Sequence, residues 1–234
     1  MLAILKRELS AYFNSIIGYI FIAVIYLFGG LFFWVTSIYS GNADLGGVFA
    51  NIMMIVELII PILTMRMISE DFKLKTDQAL LTAPIRPISI ALGKYFSAVI
   101  VYLMGISVTL AYAVVVSFFT TPDWITVLGS YIGILTMGMA LISIGMFISS
   151  LTESQIVAAA VTYAVSIFII LMDGILGFFK KSFLYNFLSY LSFSKHYKNF
   201  TLGIVNMENI VFFLTICVFF IFLTSYMLEK RKWN

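Results

Sequence analysis

Charge is what this 234-residue sequence has least of. Charged residues make up 11% of the chain against 62% hydrophobic, and the mean hydropathy is +1.07. A soluble domain of this length needs a polar surface that such a composition cannot supply. Most of the chain therefore reads as membrane spans, each of about 20 apolar residues crossing about 30 Å of hydrocarbon. Little length is left for a separate catalytic domain. Cysteine is almost missing: the single Cys217 lies in an apolar run, which excludes an internal disulfide framework and a Cys-rich metal site. His196 is the one histidine. With no nucleophile and base pair and no inward cluster of acids, an intramembrane protease or lipid hydrolase has nothing to be built from. G-x-x-x-x-G-K-[ST] occurs nowhere, so the chain itself cannot cradle nucleotide phosphates. These absences predict a chain that is not an enzyme, binds no cofactor or metal of its own, and has no nucleic-acid partner.

What is present is apolar sequence in blocks. Six stretches are candidate spans, at about 16–38, 47–68, 93–119, 127–149, 155–173 and 209–228. The first follows Lys6 and Arg7 as a signal peptide would, yet it is too long and lacks an A-x-A-like exit, so it reads as a retained span. An even number of spans puts both termini on one side. With that side cytoplasmic, it collects Lys6, Arg7, Arg66, Lys73, Lys75, Arg86, Lys94, Lys230, Arg231 and Lys232, ten of the fourteen basic residues, as the positive-inside bias requires. The other four, Lys180, Lys181, Lys195 and Lys198, fall in one long outer segment, 174–208.

Two segments outside the spans are amphipathic. In residues 1–14, Leu2, Leu5, Leu9, Tyr12 and Phe13 recur at helical spacing, with Lys6, Arg7, Ser10 and Asn14 around the other face, which suits a helix lying in the headgroup plane. In the outer segment, Phe179, Phe183, Leu184, Phe187, Leu188 and Leu191 form an apolar stripe beside Lys180, Lys181, Tyr185 and Asn186, predicting an outer-leaflet helix or a re-entrant hairpin. The loop between spans two and three, "EDFKLKTDQALLTAPIRPISIALGK", places Leu74, Leu80, Leu81 and Ile85 as apolar islands among charges. Thr76, Asp77 and Gln78 predict a helix start, and Pro84 a stop, because the residue before proline is biased away from helical angles. The plain reading of the loop is a solvated connection. The sharper one is a short, stiff docking helix.

Longer motifs favour the second. "RMISEDFKLKTDQALLTAPIRPISIALGK" is similar to the cytoplasmic loop of type-2 ABC exporter permeases, especially the gliding-motility-like branch. "KRELSAYFNSIIGYIF" resembles that branch's start, "IIPILTMR" the end of its second span, "SSLTESQ" its turn between spans four and five, and "SFSKHYKNFTLGIVNMENIVFF" with "KRKW" its C-terminal third. Lys75 stands where that branch often has Gly, Gln78 where it often has Glu, and Ile16 where it often has Pro; the Gln78 change removes a charge that could pair with a partner. The resemblance implies an all-α polytopic membrane protein forming a single transmembrane permease domain over 1–234. Its parts are six transmembrane helices, an N-terminal interfacial amphipathic helix carrying Lys6, Arg7 and Glu8, a cytoplasmic coupling helix in the loop 70–92, and an outer re-entrant or amphipathic helical segment. It further implies a permease subunit of an ATP-driven exporter, a second permease subunit in a homodimer or heterodimer, and a pair of ABC ATPase subunits that hold ATP and Mg. Both termini would be cytoplasmic, in a bacterial cell membrane. Glu70, Asp71, Thr76, Asp77, Gln78, Leu80, Leu81 and Pro84 would make the ATPase contact.

Other residues carry weaker signals. Glu57 lies mid-span, where a carboxylate is costly unless protonated, paired or hydrated. It shares a helix face with Pro61, so it could line the translocation path or the dimer seam, or be an internally bonded structural group. As a coupling carboxylate it would fit the alternative function, an ion-coupled secondary transporter or channel, although the two related halves with interrupted helices of such proteins are not visible. Thr152 and Gln155 predict a capping box for the fifth span, with a second, smaller ATPase contact as the alternative. "GSYIG" (129–133) permits close helix approach. His196 reads as a polar interfacial residue, and Trp34, Trp124 and Trp233 as interfacial anchors. The aromatic and aliphatic spans suit an amphipathic or hydrophobic cargo, a peptide, antimicrobial or lipid-like compound, better than a sugar.

Overall fold

The computed structural model describes the chain except residues 42–44, 83–84, 179–189, 191 and 234, and leaves aside the side chains at 79, 81–82, 173–178 and 233. The helices are α1 (Leu2–Phe13), α2 (Ile16–Phe33) running into a π-helical turn (Trp34–Tyr39), α3 (Gly46–Thr64), α4 (Ser69–Leu74), α5 (Thr76–Thr82), α6 (Pro87–Ile106), α7 (Val108–Ser117), α8 (Trp124–Ser149), α9 (Gln155–Phe178), α10 (Phe193–Thr201) and α11 (Met207–Trp233). Among the described residues there is no strand, and six stretches are long and apolar enough to cross a bilayer: Ile16–Tyr39, Gly46–Leu74, Pro87–Ser117, Trp124–Ser149, Gln155–Met172 and Met207–Lys232. The protein is an all-α, multi-pass membrane protein.

Each expected span has a counterpart, with shifted ends. The third starts at Pro87 rather than near 93, because proline is well placed in a first helical turn, where the N–H it lacks has no helical partner anyway. The same span is jointed at Ser107, whose hydroxyl donates to the Met104 carbonyl at 2.7 Å while Thr109 donates to Ile106 at 2.8 Å. Such back-bonding accompanies bends.

Lipid is as apolar as leucine, so helices in a bilayer associate through close packing rather than hydrophobic expulsion. The centre here is α8. Its most apolar window is 78% buried, against 28%, 28% and 22% for the first, fifth and sixth spans, which therefore turn most of their surface outward. Glycines let α8 be central. A methyl group built on Gly138 would lie 2.2 Å from the Tyr102 ring of α6, and one on Gly145 would lie 2.3 Å from the Thr64 hydroxyl of α3. The GSYIG pair has the same use, since a methyl on Gly133 would lie 2.6 Å from Phe200 Cβ of α10.

That contact reveals how α10 is placed. Gly133 is nine residues inside Trp124, the start of α8, or about 13 Å along the axis. The Tyr197 hydroxyl donates to the Phe49 carbonyl of α3 at 3.2 Å. α10 thus reaches down between α3 and α8 instead of lying on their ends. The expected stripe from Phe179 to Leu191 falls outside the described residues. His196 differs from expectation: it is 7% exposed, with Nδ1 2.7 Å from Asn209 Oδ1 and Nε2 3.1 Å from the Tyr190 carbonyl, and its ring is stacked on Phe212. The capping box at the fifth span is also replaced. Thr152 Oγ1 accepts from the Ser154 N–H at 3.1 Å, and Ser154 Oγ accepts from Val157 N–H at 3.4 Å, so Ser154 caps α9 two residues nearer the helix than the sequence motif predicts.

Candidate functional site

The loop after α3 folds as two short helices. Ile68 and Ser69 N–H groups donate to Ser149 Oγ of α8 at 3.1 and 3.0 Å, and that hydroxyl donates in turn to the Met65 carbonyl at 3.1 Å, pinning the α3–α4 junction. Glu70 and Asp71 fill the first turn of α4, where the helix dipole favours negative charge. Lys75 then ends α4 in the left-handed conformation (φ 57°, ψ 22°), its N–H directed at the Asp71 and Phe72 carbonyls. Lys75, which stands where the resembling branch often has Gly, is the hinge between α4 and α5, in a conformation where glycine is unstrained and lysine is not. Thr76 ties the start of α5 back to α4, its hydroxyl donating to Asp71 Oδ1 at 2.7 Å. α5 ends at Thr82, ahead of Pro84; Pro84 itself lies outside the described residues.

Two cations hold this unit from within. Lys94, at the start of the third span, is 3% exposed. Its Nζ lies 2.7 Å from Asp71 Oδ2 and 3.0 Å from Glu8 Oε1, so one buried ammonium joins α1, α4 and α6. Arg7 adds an ion pair with Glu8 and a longer one, 3.9 Å, with Asp71. Burial works to lower the Arg7 pKa, yet the hydrogen bond and charge of Glu8 and the charge of Asp71 carry it above its ordinary value. α1 is further fixed by Tyr12, whose hydroxyl donates to the Leu63 carbonyl at 3.1 Å and is pushed up in pKa chiefly by burial, so it stays a donor.

The second cation is Arg231, in the last turns of α11. Its Nε lies 3.0 Å from Asp77 Oδ2 of α5 and its Nη2 2.7 Å from Glu153 Oε1 in the α8–α9 turn. Its guanidinium carbon sits 3.8 Å from the centre of the Phe72 ring. N-terminal helix, C-terminal helix and both short connections therefore meet at one end of the bundle. Beside Arg231 opens a groove of about 990 Å³ bounded by α5, the α8–α9 turn and α11, with Lys75, Gln78, Leu151 and Lys230 on its walls.

The residues singled out from the sequence divide clearly. Glu70 pairs with Arg66 at 2.7 Å, Asp71 with Lys94, and Asp77 is 6% exposed against Arg231. Their carboxylates are engaged within the chain. Thr76, Gln78 and the neighbouring Leu74, 62% exposed, face outward. Leu80 is half-buried against the core, and the Leu81 side chain is outside the described residues. Lys6 is exposed on α1. Glu57 and Pro61 are buried in α3, far along the span from this end, with Glu57 4% exposed. Its carboxyl lies near the Tyr197 phenol of α10. Lys94, Ser149, Glu153 and Arg231 are the residues that sequence reasoning missed. The one available signal was Lys94, a lone lysine opening an apolar span, which needs an acid nearby.

Compared with protein families, residues 31–233 match the ABC-2 family transporter protein family. The chain belongs to this family. No curated protein matches it significantly. An ABC-2 permease is a membrane transport component of an ABC transporter and not itself the ATPase. In this permease the match spans the site from Glu70 through Arg231 but takes in only the end of the first span, from residue 31; α1, with Glu8, precedes it.

Proposed function

We propose that this chain is the membrane-crossing subunit of an ATP-driven exporter, and that α5, backed by α4, receives the stroke of a separate ATPase. The observation that carries this reading is the double latch. Lys94 ties α4 to α1 and α6, and Arg231 ties α5 to α11 and the α8–α9 turn. A push on α5 is therefore passed to several spans at once. The groove beside Arg231 offers the partner a seat. Because Glu70, Asp71 and Asp77 are engaged internally, the contact face is narrowed to Leu74, Thr76 and Gln78, with Leu80 behind; Leu81 and Pro84 keep the part that the resemblance gives them.

In this reading the end holding both termini is cytoplasmic and the membrane is a bacterial cell membrane. α1, with Lys6, Arg7 and Glu8, lies along the inner headgroups. Two permease subunits, identical or related, pair side by side in the bilayer, and ATP and Mg bind in the partner ATPases. The cargo is amphipathic or hydrophobic. The narrower kinship with the gliding-motility-like branch rests on the sequence motifs.

A second reading, ion-coupled transport through Glu57, is favoured by one observation, a carboxylate buried in the second span near Tyr197. Transport unchanged by Glu57→Gln would remove both that reading and a place for Glu57 on the path or seam. The primary test is co-expression and co-purification with an ATPase that carries the G-x-x-x-x-G-K-[ST] motif, whose presence in an adjacent reading frame would itself favour this reading. Leu74→Asp, at an exposed position that leaves the fold intact, is expected to lose the complex, whereas full retention of complex and of coupled ATP hydrolysis contradicts the docking role.

A further inference from the structure

At the end of the bundle opposite the latches, the first span holds a polar group that no helix satisfies. The π-helical turn Trp34–Tyr39 widens the backbone, and Ser37 on it is 6% exposed. Its neighbours back-bond to helix carbonyls: Thr36 donates to Phe32 at 2.6 Å and Ser40 to Thr36. The Ser37 hydroxyl is buried and, among the described residues, has no hydrogen-bond partner. It faces a cavity of about 300 Å³ between this turn and the end of α7. Phe33 and Val116 form the floor with Ser37; Ile38, Val115 and Phe119 form an exposed rim. π-Helical distortions concentrate at functional positions, and a hydroxyl without an acceptor in apolar surroundings is costly.

We propose that this cavity seats one acyl chain of a phospholipid, with Ser37 donating to the ester carbonyl at the head of that chain. The size is at the lower end of ligand pockets, about 300–1,000 Å³. The depth is appropriate: Trp34 and Tyr39, both exposed on the same turn, are the aromatic types that settle at headgroup level, where lipid ester groups lie. The rim opens toward the surroundings of the bundle, which are lipid. An aliphatic side chain from a second copy of this protein could fill the cavity but would bring no acceptor at its tip, and its helix carbonyls would already be bonded. The lipid supplies both apolar volume and acceptor.

The test uses the full chain in nanodiscs with a phosphatidylcholine carrying a diazirine on one acyl chain. Photolabelling is expected within residues 33–41 and 115–120. Unlabelled diacyl lipid should compete about fivefold better than the diether lipid of equal chain length, the worth of one neutral hydrogen bond, and Ser37→Ala should abolish that difference. Val115→Trp, at the exposed rim, should reduce adduct severalfold while labelling elsewhere stays constant. Absence of adduct in these segments, equal competition by the two lipids in the unaltered chain, or efficient disulfide formation between two Phe119→Cys copies, which would show the rim covered by a second subunit, would each overturn the proposal.

Discussion

Lys94 is the buried charge on which α1, α4 and α6 converge. Its ammonium is buried between Asp71 and Glu8, and a buried charge stripped of its partner costs about 3–5 kcal/mol, although the intact pair need not outperform an apolar replacement. Lys94→Met should therefore lower thermal stability in detergent by that amount. The triple change Lys94→Met, Asp71→Asn, Glu8→Gln should recover most of it, because the uncompensated carboxylates are then gone. A single and triple variant of equal stability would show that the pairing is not buried as described. Lys75 offers the opposite effect. Its left-handed backbone costs a non-glycine residue about 1 kcal/mol, so Lys75→Gly should slow hydrogen exchange in α4 and α5 if the relief of strain outweighs the added freedom of the unfolded chain, and should leave the rest of the protein unchanged.

Helices were legible in the sequence wherever apolar length decided them. The six spans followed from runs of uncharged residues, and α5 from Thr76 through the approach to Pro84, because local composition and backbone chemistry set both. Span ends were less legible: Pro87 begins α6 where polarity alone placed the boundary several residues later. α10 falls inside the outer segment expected to be helical, but its seat could not be read, since that depends on the glycines of α8. The latches were equally hidden. Arg231 and Asp77 are separated by 154 positions, and nothing local assigns one to the other. The acids of the loop, read as a partner's binding face, turned out to be held by cations of the same chain. The seat of α10 is testable on its own. Gly133→Ala puts a methyl group 2.6 Å from Phe200 Cβ, an overpacking expected to cost about 1–3 kcal/mol. Shortening the facing residue with Phe200→Ala in the Gly133→Ala background should give a double variant more stable than the sum of the two single changes, a coupling expected only of residues in contact.

Across the whole molecule, the architecture separates a latched end from an open one. α1, α4, α5, α11 and the α8–α9 turn converge where the charges are, around a central α8, while the first, fifth and sixth spans turn outward. That arrangement lets a displacement applied at the short helices be distributed to the spans. It has this meaning only if the latched end faces the ATP-containing compartment. The direct test is the side of the membrane on which α5 lies. Gln78 is exposed on α5 and Cys217, the native thiol, is buried, so Gln78→Cys introduces one reactive position, with Phe119→Cys as the reference for the opposite end. In intact cells, a membrane-impermeant maleimide should leave residue 78 unmodified and label residue 119, and permeabilisation should expose residue 78. Labelling of residue 78 in intact cells would contradict the account.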